Sequence, residues 1–377
     1  MRFLHTGDLH LDSAFCAYGE RGAQSLREEG RELLRAIFEC AKKEECKMIL
    51  FSGDIFDSKT VTPESAELFC SLVESCDIPV VVSPGNHDSY SQSSFYAQAA
   101  KRLGDKLTLF TSSELQFFDF DDLRVRVFGY AFTAPVLSQS PLLETEMPEE
   151  NGYLRILCAH ADMASPISRY APVTLSELTR WNFAYSAFGH IHNRGEKEDA
   201  DGRVRYCGFA QGRGFDEIGR GGAWIVDADE DACECKRVIL SNTAFYIACV
   251  DLSYMDDFAG AKAKICGEIN LQNHSNGAKT RVILSGSADP SVIDEIYRNK
   301  DEIQKLCGVD YVEFVDETLP MMDGEYLERD TTLRGEFYRT LLPKLSSDNA
   351  EERRVAIKAL QIGLAAIDGK SILKIRD

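Results

Sequence analysis

The chain has 377 residues, of which 44% are hydrophobic and 27% are charged, and this length favours two domains over a single core. Its formal net charge of −19 argues against a protein that grips nucleic acid with its whole surface, although a local basic groove or divalent metals at a site are compatible with it. No run of about 18 uncharged apolar residues occurs and Met1 leads directly into a predicted strand, so we expect no membrane span, no signal peptide and a cytoplasmic location.

The first predicted strand spans residues 2–6 and is followed directly by Gly7-Asp8-Leu9-His10. Because side chains alternate along an extended backbone, Asp8 and His10 point out of the same face. One Asp-x-His pair is weak evidence for a site, since carboxylates and histidines recur by chance. Residues 26–46 then carry apolar side chains at helical spacing beneath a charged face, which predicts an amphipathic helix that packs on a sheet.

The second predicted strand repeats this pattern. Residues 47–52 end in Gly53-Asp54, and Asp57 follows one turn later. The next predicted helix has Pro63 at a position suited to a first helical turn. A third strand begins at residue 79, so alternating strands and helices predict a βαβαβ arrangement with right-handed crossovers.

The third strand leads into a loop of polar residues. Residues 79–85 hold three valines bounded by prolines and a glycine, a pattern typical of a buried parallel strand. Asn86, His87 and Asp88 follow it. In open α/β sheets ligands bind beyond the carboxyl ends of the strands, so these side chains indicate a site. Taken alone, they are explained equally well by an Asx-type turn with an incidental histidine.

Two further buried strands end in histidine. Residues 154–158 end at His160, and residues 184–188 end at His190 and His192. A His-x-His pair at a strand end is stronger evidence than Asp-x-His, because both rings face one side and imidazole is the commonest metal ligand.

Two regions, 105–135 and 203–240, are predicted to form antiparallel strands, because short alternating segments lie close together in them. The second region contains a Gly-rich loop, 208–217, which lacks the phosphate-binding pattern of a nucleotide loop. It also contains Cys233 and Cys235. We interpret these, like the rest of the 12 cysteines, as reduced structural thiols rather than as a zinc site or a disulfide framework.

Beyond residue 245 the pattern changes to a small α+β unit followed by two helices. The last helix, at about 350–367, has an apolar stripe along one side of a charged surface. This stripe would pack on its own domain or bind a partner, and the sequence leaves both interpretations open.

Five strand ends therefore carry side chains with oxygen and nitrogen ligand atoms, and five of the seven histidines, with His87 included, lie at these ends. The candidate metal ligands are Asp8, His10, Asp54, Asn86, His160, His190 and His192. Carboxylate, amide and imidazole groups without a thiolate suit manganese, iron or zinc in a catalytic site. Seven ligands are too many for one ion, whereas two ions about 3.5–4 Å apart that share a carboxylate serve in-line displacement at phosphorus. His87 is left as a candidate general acid, and the nearby Asp88 carboxylate would favour its protonated form.

In this order, the motifs resemble those of the calcineurin-like metallophosphoesterases, and specifically of the SbcD-type DNA repair exonucleases. The motifs are Asp8-x-His10, Gly53-Asp54, Gly85-Asn86-His87-Asp88, His160 and Gly189-His190-x-His192, together with Tyr206-Cys207-Gly208 and Phe215-Asp216-Glu217, which are typical of SbcD-type chains. The resemblance covers residues 1–245 well and the remainder in outline.

The resemblance implies a four-layer α/β/β/α sandwich over 1–245, an α+β cap domain over 246–330, and C-terminal helices over 331–377 that could bind a partner. It implies two divalent metal ions, usually manganese, with Asp54 as the bridging ligand and His87 as the catalytic acid. One ion would be held by Asp8, His10, Asp54 and His192, and the other by Asp54, Asn86, His160 and His190. The implied partners are DNA, an SbcC-like ATPase and a second copy of the chain.

Three functions are compatible with these observations. The first is a manganese-dependent nuclease subunit, which the cap-sized segment 246–377 favours and the acidic net charge disfavours. The second is a phosphodiesterase or phosphatase that uses the same metals on small molecules or proteins. The third is a catalytically inactive scaffold, and the complete ligand set counts against it because a scaffold need not retain every ligand.

Overall fold

The structure of the protein, a computed structural model, describes residues 1–58, 61–143, 146, 148–149, 152–192, 199, 201–253, 255, 257–272, 277–320 and 324–367. The chain divides into two compact units, Met1–Ala244 and Phe245–Asp377. Within the described residues, no helix combines the length and the apolar composition that a membrane crossing requires.

The first unit alternates strands and helices over most of its length. In chain order its elements are β1 (Arg2–Thr6), α1 (Gly19–Lys43), β2 (Ile49–Phe51), α2 (Pro63–Glu74), β3 (Val80–Val82), α3 (Phe95–Leu103), β4 (Leu107–Leu109), β5 (Gln116–Phe120), β6 (Val125–Gly129), β7 (Leu154–His160), α4 (Leu175–Trp181), β8 (Tyr185–Gly189), β9 (Val204–Tyr206), β10 (Gly219–Ala228) and β11 (Cys233–Asp251), which continues into the second unit.

These strands form two sheets in the first unit. One has the order β10-β1-β2-β3-β4, in which β1 to β4 are parallel and β10 is antiparallel to β1. The other has the order β5-β6-β7-β8-β9, in which β6 to β9 are parallel and β5 is antiparallel to β6. Each sheet therefore directs the carboxyl ends of its central strands to one edge.

Alternate residues of the central strands face opposite sides of each sheet, and both sides are apolar, as expected of buried parallel strands. Leu4 belongs to the core cluster to which helices α1 to α3 contribute, whereas the preceding Phe3 belongs to the cluster between the two sheets. Similarly, Ile156 lies between the sheets and Leu157 packs with Trp181 of α4. The layers are therefore helices, sheet, sheet and helix, and the predicted α/β fold is confirmed.

Two strands differ from their predicted direction. β4 was expected in an antiparallel group, yet it is parallel to β3 because α3 returns the chain before it. β9 was expected in a hairpin, yet it is parallel to β8. The connection from Gly189 to Val204 exceeds the dozen residues that a parallel crossover needs. Alternation thus identified both strands, but connection length decided their direction.

The second unit consists of α5 (Phe258–Leu271), β12 (Ala278–Ser285), β13 (Ser287–Ala288), α6 (Pro290–Arg298), α7 (Lys300–Cys307), β14 (Tyr311–Asp316), β15 (Leu319–Pro320), α8 (Gly324–Arg329), α9 (Leu333–Leu345) and α10 (Ala350–Ile367). β12 and β14 are parallel neighbours, and the core of the unit includes Ile265, Val282 and Ile296. A single helix was predicted where α6 and α7 meet at Asn299. Residues 368–377 of the predicted C-terminal segment lie outside the described residues.

Candidate metal centre

The polar strand ends of the first unit meet where its two sheets face each other. The loops after β1 and β2 are joined by a hydrogen bond from the backbone N–H of Asp8 to Gly53 O, 3.0 Å long. The two sheets are joined there by His160, whose Nδ1 lies 3.0 Å from Ser52 O. The His190 backbone N–H also donates to Asp8 Oδ2 over 3.0 Å. Contacts between backbone and side chain thus bring together residues far apart in the sequence.

Four of the predicted ligands have left-handed backbone conformations. The φ angles are 47° at Asp8, 47° at His10, 48° at Asp54 and 102° at His190. Such conformations cost non-glycine residues of the order of 1–3 kcal/mol each and persist only where surrounding contacts impose them. One such contact is the hydrogen bond from the His10 N–H to Asp54 O, at 3.0 Å. The backbone is therefore held in the conformation that turns these side chains toward one another.

Glycine precedes four of the ligands, Asp8, Asp54, Asn86 and His190, because the chains approach too closely there for a side chain. A Cβ at Gly85 would collide with Oδ1 of Asp54, and a Cβ at Gly189 would collide with the Ser52 carbonyl oxygen. The glycines of the predicted motifs thus allow strand ends of both sheets to come into contact.

Asp8, His10 and His192 form one cluster in which all three offer ligand atoms within 4.8 Å of one another. The two Nε2 atoms of His10 and His192 are only 3.2 Å apart. Nδ1 of His10 lies 3.1 Å from Asp57 Oδ1, and Nδ1 of His192 lies 2.6 Å from Glu217 Oε1. With both Nδ1 atoms donating to carboxylates, two neutral rings would point lone pairs at each other. The arrangement therefore needs a cation between the rings, either a proton or a metal ion.

Asp54, His160 and Asp8 form a second cluster of possible ligands, and Asn86 contacts His160 beside it. Nε2 of His160 lies 3.0 Å from Asn86 Oδ1 and 3.3 Å from Asp54 Oδ2. Since Nδ1 of His160 donates to Ser52 O, Nε2 meets two acceptor oxygens. This is again an excess of acceptors that a cation satisfies, and a divalent metal fits both clusters.

The electrostatics of the second cluster agree with this geometry. Burial opposes the charged form of His160, but the Asp54 and Asp8 carboxylates outweigh it and raise the pKa of His160 to about 9. Burial likewise acts to raise the pKa of Asp54, but the surrounding histidines, led by His160, hold it well below its usual range. The Asp54 carboxylate thus remains ionised among the imidazoles, which is the form in which a carboxylate binds a metal.

His190 lies beside the second cluster. Its ring centroid is 5.1 Å from that of His160, and its other ring neighbour is Tyr170, at 4.8 Å. Burial, reinforced by the charge of His160, lowers the pKa of His190 to about 4. The imidazole is therefore neutral at physiological pH, which is the form that binds a metal.

His87 is the most exposed of the candidate residues, with 43% of its side chain accessible. Nδ1 of His87 lies 3.1 Å from the Asp57 carbonyl oxygen, and the ring packs edge-on against His10 with centroids 4.8 Å apart. His87 also groups with His10 and Asp54 as a possible ligand set. The position is compatible with a proton donor at the rim of the centre.

The role expected of Asp88 was wrong. Its Oδ1 accepts the Gly85 N–H at 2.9 Å, and its Oδ2 accepts from the Phe56 N–H at 3.2 Å and from the Tyr96 hydroxyl at 2.5 Å. The carboxylate is buried and holds the loop after β2 to the loop after β3. The carboxylate near His87 belongs to Asp57 instead, with Oδ1 at 3.8 Å from Nδ1.

Four supporting residues received no role from the sequence. Asp57 and Glu217 accept from the rings of His10 and His192, Arg213 contacts both carboxylates, and the Cys207 thiol lies 3.2 Å from Asp8 Oδ2. Three of them lie in or beside the Gly-rich segment 208–217. An arginine and a glutamate four residues apart in a loop without a nucleotide-binding pattern were the available signal.

Residues 1–194 match the family model of the calcineurin-like phosphoesterases. An uncharacterized metallophosphoesterase, YhaO of Bacillus subtilis, is 27% identical over 242 residues, which cover 60% of this chain and 57% of that protein. The DNA double-strand break repair protein Mre11 of Saccharolobus solfataricus is 23% identical over 251 residues, which cover 61% of both chains. This chain thus spans 57% and 61% of the lengths of these relatives. The solved structure of a dimetal phosphatase from Danio rerio matches 64% of this chain and 99% of its own, with 13% identity and a TM-score of 0.39.

Proposed function

Because the chain belongs to the calcineurin-like phosphoesterase family, as its motifs predicted, we propose that it is a two-metal phosphodiesterase that acts on DNA. Membership of this family supports a metal-dependent phosphoester hydrolase. DNA as the substrate is supported by the relative named as a DNA double-strand break repair protein and by the SbcD-type segments of the sequence. The observation that supports metal binding is the excess of acceptor atoms at both clusters. The clearest case is the distance of 3.2 Å between Nε2 of His10 and Nε2 of His192.

We assign the ligands as the family pattern divides them, with the Asp54 carboxylate shared. One ion would be bound by Asp8, His10, Asp54 and His192, and the other by Asp54, Asn86, His160 and His190. The distances from His160 Nε2 to Asn86 Oδ1 and Asp54 Oδ2, 3.0 and 3.3 Å, support the second set. Oxygen and imidazole ligands without a thiolate suit manganese, which we propose as the metal.

Two divalent cations held by these residues would polarise the phosphoryl group and lower the pKa of a water molecule, so that hydroxide would be available as the nucleophile. The chain's own residues position the ligands and move a proton. The Nδ1–H of His87 is engaged by Asp57 O, so Nε2 is the atom that can release a proton to the leaving oxygen. The Asp57 carboxylate lies beside this ring, with Oδ1 3.8 Å from Nδ1.

The remainder of the chain would serve this centre. We propose residues 246–330 as a cap that helps to place DNA, and the helices within 331–377 as a surface for an SbcC-like ATPase, in a cytoplasmic complex built on a homodimer. Support comes from the motif resemblance and from two exposed apolar side chains on α9 and α10. They are Leu333 and Val355, which are 70% and 59% exposed.

A second candidate uses the same metals on small or protein phosphoesters, and the net charge of −19 favours it because DNA is repelled by an acidic surface. The test is manganese-dependent hydrolysis of linear double-stranded and single-stranded DNA beside bis-p-nitrophenyl phosphate and a phosphopeptide. DNA degradation that is abolished by a chelator and by Asp54→Asn supports the nuclease. Hydrolysis of the small diester without DNA degradation favours the second candidate, and no hydrolysis by metal-loaded protein contradicts both.

A further inference from the structure

The rings of His10 and His192 are each held by a carboxylate that lies outside the proposed ligand set. His10 Nδ1 is 3.1 Å from Asp57 Oδ1, and His192 Nδ1 is 2.6 Å from Glu217 Oε1. A ring nitrogen that donates to a carboxylate carries the proton of the neutral imidazole, which leaves the lone pair on Nε2. The two carboxylates therefore determine which nitrogen faces the centre.

Arg213 ties these two carboxylates together. Its Nη1 lies 3.3 Å from Asp57 Oδ1, and its Nη2 lies 3.0 Å from Glu217 Oε1. The backbone N–H of Arg213 also donates to Glu217 Oε2 over 2.7 Å. Glu217 is 3% exposed, and a buried carboxylate is retained only when such donors surround it. One guanidinium thus fixes the loop after β2 to the loop that precedes β10.

We propose that Asp57 and Glu217, joined by Arg213, are positioning residues that orient His10 and His192 so that both Nε2 atoms bind one divalent cation. This inference rests on the proposed function, since it concerns one of the two metal sites. In the second cluster the imidazole ring is oriented by a different group, because His160 Nδ1 contacts a main-chain oxygen, Ser52 O. Loss of Asp57 or Glu217 should therefore weaken one site and spare the other.

The test is Mn²⁺ titration of the full-length, metal-free protein by calorimetry, with metal content after dialysis as a second readout. Glu217→Ala removes the acceptor, whereas Glu217→Gln keeps an oxygen acceptor and loses the charge. Asp216→Asn is the matched control, because it removes one negative charge from an exposed neighbour. Asp57→Ala repeats the test at a side chain that is 30% exposed and less needed for folding.

We expect wild type and Asp216→Asn to bind two ions. Glu217→Ala and Asp57→Ala should bind one ion normally and the other about 10–100-fold more weakly, the usual cost of losing such a partner. Glu217→Gln should bind the weakened ion with an affinity between those of wild type and Glu217→Ala. The melting temperature of the metal-free Asp57→Ala variant should stay close to that of wild type.

Wild-type affinity for both ions in Glu217→Ala and Asp57→Ala would overturn the inference while leaving the proposed function intact. Equal weakening of both sites in Asp57→Ala, with a lower melting temperature of the metal-free protein, would make the residues structural and would also overturn it. Failure of the wild-type protein itself to bind a divalent cation would instead remove the proposed function, and this inference with it.

Discussion

Both units place aspartates at or just beyond the ends of strands, but the carboxylates bind different groups. In the second unit, Asp251 accepts the Ser253 N–H at 2.8 Å and Asp316 accepts the Thr318 N–H at 2.9 Å, so each carboxylate closes the turn after its own strand. In the first unit, Asp54 accepts from the His87 N–H, 33 residues away. A strand-end aspartate thus becomes a ligand candidate when its own turn leaves its oxygens free for distant groups.

The backbone marks the same difference. Asp8, His10 and Asp54 have left-handed conformations, which turn their side chains away from the local turn and toward the facing sheet. In the described part of the second unit, only glycines have such conformations. The unit that contains the candidate centre therefore carries the backbone strain, as is common where side chains must meet precisely.

Replacing one aspartate of each kind by asparagine tests this contrast with the largest expected effect. Asp54→Asn removes the charge proposed to be shared by both ions, so we expect metal content to fall from two ions and activity to drop by about 10²–10³-fold or more. Asp251→Asn keeps an oxygen acceptor for its turn and should leave both unchanged. Elemental analysis beside rates on DNA measures the effect. Two ions retained in the Asp54 variant would contradict the bridging assignment.

The second test asks whether His87 of the first unit acts as a proton donor or as a metal ligand. His87→Ala should keep both metals yet lose about 10²–10⁴-fold of the rate on DNA, whose leaving oxygen needs a proton. The loss on bis-p-nitrophenyl phosphate should be smaller, because nitrophenolate departs without help. The ratio of the two rates in wild type and variant is the measurement.

Two outcomes would change the role of His87. An equal loss on both substrates with metals retained would indicate that His87 orients the phosphate. Loss of one metal would make it a ligand, consistent with its grouping with His10 and Asp54.

The sequence named the candidate site residues but not the residues that contact and hold them. Strand ends are visible as apolar runs that stop at glycine, and the carboxyl ends of parallel strands share an edge, so Asp8 and Asp54 could be named together. The partners of His10 and His192 could not be predicted, because Asp57 and Glu217 are 160 positions apart and a loop's path is not encoded in periodicity. The expectation that Asp88 would favour the protonated form of His87 was wrong for the same reason. Adjacency to His87 in the sequence gave no information on the direction of the Asp88 carboxylate.

The third test concerns the second unit, where the apolar stripe of α10 was open to two interpretations. Ala356, Leu360 and Leu364 are buried, so this side of the helix packs within its own unit, whereas Val355 is 59% exposed. We expect Leu360→Ala to cost about 2–5 kcal/mol in the free energy of unfolding, and Val355→Ala to stay within about 0.5 kcal/mol. Urea denaturation measures both. A large loss for Val355→Ala would mean that the exposed side is also part of the core.

The smallest expected effect comes from His5, a histidine of the first unit whose two ring nitrogens are both satisfied, by the Tyr185 hydroxyl at 2.9 Å and by Ser52 Oγ at 3.1 Å. Burial, with some help from Arg237, lowers its pKa from the usual 6.5 to about 3. In the unfolded chain His5 binds a proton below about pH 6.5, but in the folded chain it does not until about pH 3. Its contribution to stability is therefore complete above pH 6.5 and declines by up to about 1.4 kcal/mol per pH unit as the pH falls toward 3.

Urea denaturation of metal-free wild type and His5→Gln between pH 7.5 and 4.5 isolates this contribution. The variant is expected to be less stable at neutral pH, but its stability should fall less steeply with acidification, because glutamine does not titrate. The difference in slope is the quantity of interest, since the other histidines titrate equally in both proteins. Parallel slopes would show that the folded protein protonates His5 as readily as the unfolded chain does.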